Sequence, residues 1–269
     1  MSGEGQQLIF GSSESRPYPD APSQTVIIPA YNESFRIVQS LRVVLSYLGE
    51  QCYPSDVLLV DDGSTDDTAA SARTLLDEFP MLRVHSIPHG GKAAAVLHGL
   101  EHARGDLILF ADADLATPIT YLEEFRAVAM RGADVVIGSR EGESAERIGE
   151  PAFRHFMGRV FNGMVRVLLL PGIHDTQCGF KLFTAGARDQ ILPRLHLYRN
   201  ADGEIQDPKV TAFDVELLVV ARRLGLEIAV VPVTWTFGER SKVSPVGDTI
   251  TNFSDVAHVK WNDLRGRYD

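Results

Sequence analysis

Two aspartates separated by one alanine, Asp112-Ala113-Asp114, close the apolar run Leu107-Ile108-Leu109-Phe110-Ala111. The run has the length and content of a buried strand. Carboxylates set so close at the end of such a strand lose hydration and repel each other, and no Lys or Arg adjoins them in sequence. A divalent cation held through their oxygens, Mg²⁺ or Mn²⁺, removes both penalties. A surface turn capping the next helix is the competing reading, because Thr117-Pro118 is a helix-start signal.

Three more polar clusters follow apolar runs in the same way. Tyr31 and Glu33 follow Thr25-Val26-Ile27-Ile28-Pro29, Asp61 and Asp62 follow Val57-Leu58-Leu59-Val60, and Arg140 follows the run 134–137. Tyr31 and Asp62 suit a nucleobase, one by stacking and the other by accepting from a ring N–H. Asp61 reads as a helix cap or a structural residue. With the Asp112–Asp114 cation completed by diphosphate oxygens, the cluster would neutralise a departing nucleoside diphosphate. Arg140 and Lys242, each in a loop, are candidate phosphate contacts. His174 beside Asp175 reads as a turn residue, and the eight histidines show no metal-ligand spacing, which argues against zinc.

These residues need elements to hold them. Helices are expected near 34–48, 65–78, 93–103, 119–130, 152–170, 212–224 and 248–264. Strands are expected at 25–29, 57–60, 82–87, 107–111 and 134–137, after the turn 172–179, and at 227–235. Strands and helices alternate, and each strand is an unbroken apolar run. Such runs predict an α/β fold with a mostly parallel central sheet covered by helices on both faces. In open sheets of this kind ligands bind outside the carboxyl ends of the strands, where all four clusters fall. Residues 1–23 read as a mobile tail, 24–247 as one domain and 248–269 as a C-terminal helix and tail. The segments 141–150 and 238–245 read as loops, and 194–211 as a polar surface insertion.

Composition narrows the function. The 269 residues are 44% hydrophobic and 23% charged, which is ordinary for a globular protein. A net charge of -10 argues against general nucleic-acid binding. Two cysteines, Cys52 and Cys178, make no disulfide framework, and a cytoplasmic setting is expected. No apolar run reaches the ~20 residues that span a bilayer. The helix at 152–170 is amphipathic and basic, so it reads either as core packing or as a peripheral contact at the cytoplasmic membrane face. Phosphate-binding Gly-X-X-X-X-Gly-Lys, dinucleotide Gly-X-Gly-X-X-Gly and nucleophile Gly-X-Ser-X-Gly patterns are all missing.

Together, Pro29-Ala30-Tyr31-Asn32-Glu33, Val60-Asp61-Asp62-Gly63-Ser64, Gly91-Lys92, Ala111-Asp112-Ala113-Asp114 and Gly138-Ser139-Arg140 resemble a family 2 glycosyltransferase of the GT-A, Rossmann-like fold. The later stretches Asp175-Thr176-Gln177-Cys178-Gly179-Phe180-Lys181, Phe213-Asp214-Val215-Glu216-Leu217 and Ser241-Lys242-Val243-Ser244-Pro245 are similar to the dolichyl-phosphate β-glucosyltransferase branch, with polyprenyl-phosphate mannosyltransferases close by. The resemblance implies a metal-dependent, inverting transfer of a hexose from a nucleotide sugar to a polyprenyl phosphate, with glucose from UDP-glucose leading. It implies that Pro29, Tyr31, Glu33, Val60, Asp62, Lys92, Asp112 and Ala113 bind the nucleotide sugar. Asp114 would be the main metal ligand and Asp112 would reach the ribose or the metal. Asp175 would stand near the reacting sugar, and Arg140 and Lys242 would face phosphate. A phosphate acceptor is already an anionic nucleophile, so Asp175 would only orient groups; a hydroxyl acceptor would need Asp175 or Glu216 as base. Transfer of mannose from GDP-mannose, a soluble acceptor, a sugar nucleotidyltransferase and a non-catalytic nucleotide-sugar sensor are the rival expectations.

Overall fold

The computed structural model describes residues 21–149, 152–197, 212–237 and 247–269, with the backbone alone for 152–154, 156 and 247–252. Seven strands form the central sheet: β1 (Gln24–Ala30), β2 (Ser55–Asp62), β3 (Leu82–Ile87), β4 (Leu107–Ala111), β5 (Val135–Ser139), β7 (Phe180–Thr184) and β8 (Ile228–Pro232). Their order is β3-β2-β1-β4-β7-β5-β8. A second, two-stranded sheet pairs β6 (Glu146–Ile148) with β9 (Thr234–Thr236).

Alternate residues of each central strand enter two separate cores. Val26 and Ile28 of β1 pack with α1 (Ile37–Gly49), α2 (Thr68–Arg73) and α4 (Leu122–Met130) on one face. Ile27 packs with α3 (Gly91–His102), α5 (Ala152–Leu168), α6 (Ala185–Ile191), α7 (Phe213–Arg223) and α8 (Gly247–Leu264) on the other. Burial on both faces is why the strands read as continuous apolar runs rather than alternating ones.

The sheet is mostly parallel, as expected, with one strand reversed. β7 runs antiparallel to both β4 and β5, pairing Ala111 with Phe180 and Ile137 with Lys181. Its amino end therefore lies at the edge where the parallel strands have their carboxyl ends. That reversal delivers the turn 172–179 to the same edge as Asp62 and Asp112. The single strand expected at 227–235 is two strands in two sheets. Pro232, which has no N–H to continue a ladder, ends β8, and the chain crosses at Val233 to pair β9 with β6. That pairing also orders part of the expected loop 141–150.

Smaller differences have local causes. The helix expected from Thr65 begins at Thr68, because Asp66 Oδ1 accepts from Thr68 N (3.0 Å) and keeps 65–67 in a turn. α6 was not expected; Thr184 caps it by accepting from Ala187 N (3.1 Å). Residues 1–20 of the expected tail lie outside the described residues, but Ser23 is fastened, donating from its N–H to Asp106 (2.8 Å). Most of the polar insertion, 198–211, lies outside the described residues, as does the loop at 238–245 with Lys242.

Candidate active site

β1 and β2 end side by side, with Ala30 in register with Asp61. The next residues turn toward each other. Asn32 adopts φ 50°, and its side-chain carbonyl accepts from Thr65 N (2.8 Å) while its N–H donates to Ser64 Oγ (2.9 Å). Asn is among the few residues that take this left-handed conformation readily. The two loops are thereby joined, with Tyr31 and Glu33 on either side of the junction.

Asp62 is nearly fully buried, and two groups hold its carboxylate. Gly90 N donates to Oδ1 (2.8 Å), and His89 Nδ1 lies 2.8 Å from Oδ2. Burial raises the Asp62 pKa, against the lowering effect of the Gly90 N–H and of His89. Tyr31 stacks on the same histidine, ring centroids 4.1 Å apart at 15°. Tyr31, expected to offer an aromatic face, is stacked on a ring that strand-end reasoning missed, that of His89. Its signal was its place directly before Gly90-Gly91. Gly63 must be glycine, since its φ is +65° and a Cβ there would lie 2.7 Å from the His89 backbone nitrogen.

The aspartate pair stands at the end of β4. Asp112 N donates to Gly179 O (3.1 Å), and the Asp112 carboxylate lies directly against Gly179, where any side chain would collide with it. Leu115, at φ 50°, turns the chain back, and Asp114 Oδ1 accepts from Ala116 N (3.1 Å). The chain does bring cations to the pair, though none adjoins it in sequence. Lys92 Nζ is 2.5 Å from Asp112 Oδ1, and Arg36 lies 3.0 Å from Glu33 and 3.9 Å from Asp114. Burial would lower the Lys92 pKa, but Asp112, Asp214 and Asp114 raise it overall. The carboxylates still outweigh their partners: burial and then Asp112 push the Asp114 pKa upward. Two crowded, hard oxygen donors with surplus negative charge fit Mg²⁺ or Mn²⁺.

Arg140 and Asp175 are brought together rather than apart. Arg140 donates from its backbone N (3.0 Å) and Nε (2.7 Å) to Asp175 Oδ2, and from Nη2 to Oδ1 (2.8 Å). Asp175 is completely buried. Burial would raise its pKa, yet the Arg140 guanidinium overrides that and holds it far below the usual carboxylate range. Arg140 also lies 5.3 Å from the Trp235 ring centroid. The two residues expected to face substrate are thus bonded to each other.

Glu216, the other candidate base, sits inside the molecule. It accepts from His196 N (2.9 Å), Leu197 N (3.0 Å) and Tyr268 Oη (2.9 Å), and burial raises its pKa. Val60 and Pro29 are buried within their strands, Val60 with no exposed surface. Ala113 is nearly buried between the two aspartates. Behind the site, Lys181 Nζ pairs with Asp214 Oδ1 (2.6 Å) and bonds Cys178 O (2.6 Å). His174 faces Arg166 (3.1 Å).

Solved structures with the same course of chain are glycosyltransferases. Glucosyl-3-phosphoglycerate synthase from Mycobacterium tuberculosis, in complex with Mn²⁺, UDP-glucose and phosphoglyceric acid, matches 89% of this chain and 80% of its own at a TM-score of 0.62 and 20% identity. The fold is therefore of the GT-A class. The model of glycosyl transferase family 2 matches residues 25–192, more than half of the sequence, and the chain belongs to that family. Among curated relatives, a dolichyl-phosphate beta-glucosyltransferase of Trichomonas vaginalis is 36% identical over 82% of this chain and 68% of its own length. The Homo sapiens dolichyl-phosphate beta-glucosyltransferase is 32% identical over 93% and 79%. The Saccharomyces cerevisiae enzyme is 32% identical over 91% and 76%.

Proposed function

We propose that this chain transfers glucose from UDP-glucose to dolichyl phosphate, with inversion at the anomeric carbon. Asp112 and Asp114 would hold Mg²⁺ or Mn²⁺, which when bound neutralises charge on the leaving diphosphate. Lys92 pairs with Asp112 and fixes its carboxylate in place. Tyr31, His89 and Asp62 receive the nucleobase, and Asn32 keeps their two loops together.

The observation that carries this reading is the state of the two candidate bases. Asp175 is buried under three hydrogen bonds from Arg140, and Glu216 is buried under donors from three other residues. A hydroxyl acceptor needs a base within reach to take its proton. A phosphate monoester is already an anionic nucleophile and needs only to be positioned. The names of the relatives, reported above at 32–36% identity, support the same acceptor.

The acceptor's lipid also fits the surface. No helix among the described residues is long and apolar enough to cross a membrane. α5 and α8 pack together through Phe161 and Phe253. They expose Val160, Val167 and Leu168 on one and Phe253, Trp261 and Leu264 on the other. Apolar groups on two adjoining helices suit a peripheral contact with a bilayer.

The test supplies purified protein with Mn²⁺, radiolabelled UDP-glucose or GDP-mannose, and either dolichyl phosphate in detergent or a panel of soluble alcohols and phosphates. Glucose extracted with the lipid phase is expected. Label appearing only in soluble product, or only from GDP-mannose, would overturn the reading.

A further inference from the structure

Three histidines meet on the sheet's outer edge, and two of them stand at a helical i, i+4 spacing that the sequence reading passed over. His85 belongs to β3, the edge strand, and His98 and His102 are one turn apart on α3. The third ligand comes from a different element, so only the topology adds His85 to the His98–His102 pair. Their ligand nitrogens all lie within 4.8 Å of one another. We propose that His85, His98 and His102 form a second metal site, for a zinc-class transition-metal ion, distinct from the Asp112–Asp114 pair.

One pair already stands near coordination spacing, and the His98 and His102 rings stack 4.0 Å apart beside it. His85 Nδ1 and His98 Nε2 are 3.0 Å apart. Two imidazole nitrogens on one tetrahedral zinc, each at ~2.0–2.1 Å, stand roughly 3.3–3.4 Å apart. A few tenths of an ångström therefore separate the observed pair from two ligands of one ion. The third ring is prepared for the same role. His102 Nδ1 lies 2.8 Å from the His98 carbonyl oxygen, which can only accept. Nδ1 must then carry the proton, and Nε2 keeps its lone pair. A backbone carbonyl fixing the tautomer of a ligating histidine is the usual outer shell of such sites.

The surroundings select the ion. His85 lies in the field of Arg83 and Arg104, and Arg83 Nη1 donates to the His102 carbonyl (3.2 Å). Three imidazole nitrogens with no carboxylate among them favour Zn²⁺, Co²⁺, Ni²⁺ and Cu²⁺ over hard cations that prefer oxygen donors. Three protein ligands with His102 at the surface leave a fourth position for water. Bound metal would clamp β3 to α3, the helix that begins beside Gly90 and carries Lys92.

Metal-stripped, tag-free protein in excess Mg²⁺ is titrated with Co²⁺ and Zn²⁺ by absorption and calorimetry. The expected result is one equivalent of Co²⁺ with the visible band of a tetrahedral nitrogen site, displaced by Zn²⁺, and a higher Tm with Zn²⁺. His98→Gln and His102→Gln should each lose the band and weaken Zn²⁺ at least tenfold, while His174→Gln should change neither. His85→Asn, checked for native circular dichroism, is the second variant should either helix substitution fail to fold. Absence of the band in wild type, or equal uptake by the folded His98, His102 or His85 variants, overturns the proposal.

Discussion

The surroundings of Asp114 disfavour its charged form. Burial and Asp112 raise its pKa, so the folded chain holds that proton more tightly than the unfolded chain. Stability from this group is present at low pH and lost as pH rises through the folded pKa. Asp114→Asn should therefore abolish transfer, by a hundredfold or more in kcat, without lowering the Tm of metal-free protein, as activity assays beside thermal melts would register. Asp175 has the opposite sign. Its depressed pKa supplies stability above the unfolded carboxyl value of ~4, and that stability fades as pH falls below it. Asp175→Asn should cost about 3–5 kcal/mol by urea unfolding at pH 7, because it removes the charge of a buried carboxylate paired with the Arg140 guanidinium. Adding Arg140→Met should recover part of the loss. The sequence exposed the Asp112-Ala113-Asp114 pair and Asp62 because strand-end carboxylates are local patterns. It hid Arg140–Asp175, His89–Asp62 and Lys92–Asp112, whose partners are 35, 27 and 20 residues apart and meet only through the topology.

At the scale of elements, the strands were legible because both faces of the sheet are buried, and the helices because their apolar residues recur at helical spacing, as with Ile37, Leu41, Val44, Leu45 and Leu48 of α1. The direction of β7 was not legible. Phe180-Lys181-Leu182-Phe183-Thr184 is equally apolar read either way, and only its neighbours decide its sense. That direction has a consequence at Gly179, the residue before it. A Cβ on Gly179 would meet the Asp112 carboxylate itself. Gly179→Ala should displace Asp112 from Lys92, cutting kcat at least tenfold while far-UV circular dichroism stays native. A variant with normal turnover would mean that Asp112 does not need its observed place.

Across the whole molecule, Glu216 joins parts that are remote in the chain. It sits on α7, takes the backbone N–H groups of His196 and Leu197, and accepts from Tyr268, the penultimate residue. The C-terminal end and the segment leading out of α6 are thus pinned to one buried carboxylate. This role separates cleanly from base catalysis. A base at Glu216 would make Glu216→Gln inactive at unchanged stability. A clamp makes the reverse prediction: turnover per folded molecule stays within a few-fold of wild type, while the Tm shifts. Tyr268→Phe should then cost about 1–3 kcal/mol, since it removes one donor from a buried acceptor without opening a cavity. Tyr268→Ala should cost more, about 3–5 kcal/mol, as for other buried aromatic side chains cut to alanine. Urea unfolding of the three variants beside their turnover distinguishes the roles, and a Glu216→Gln protein that is stable but inactive would return Glu216 to the chemistry and reopen the case for a hydroxyl acceptor.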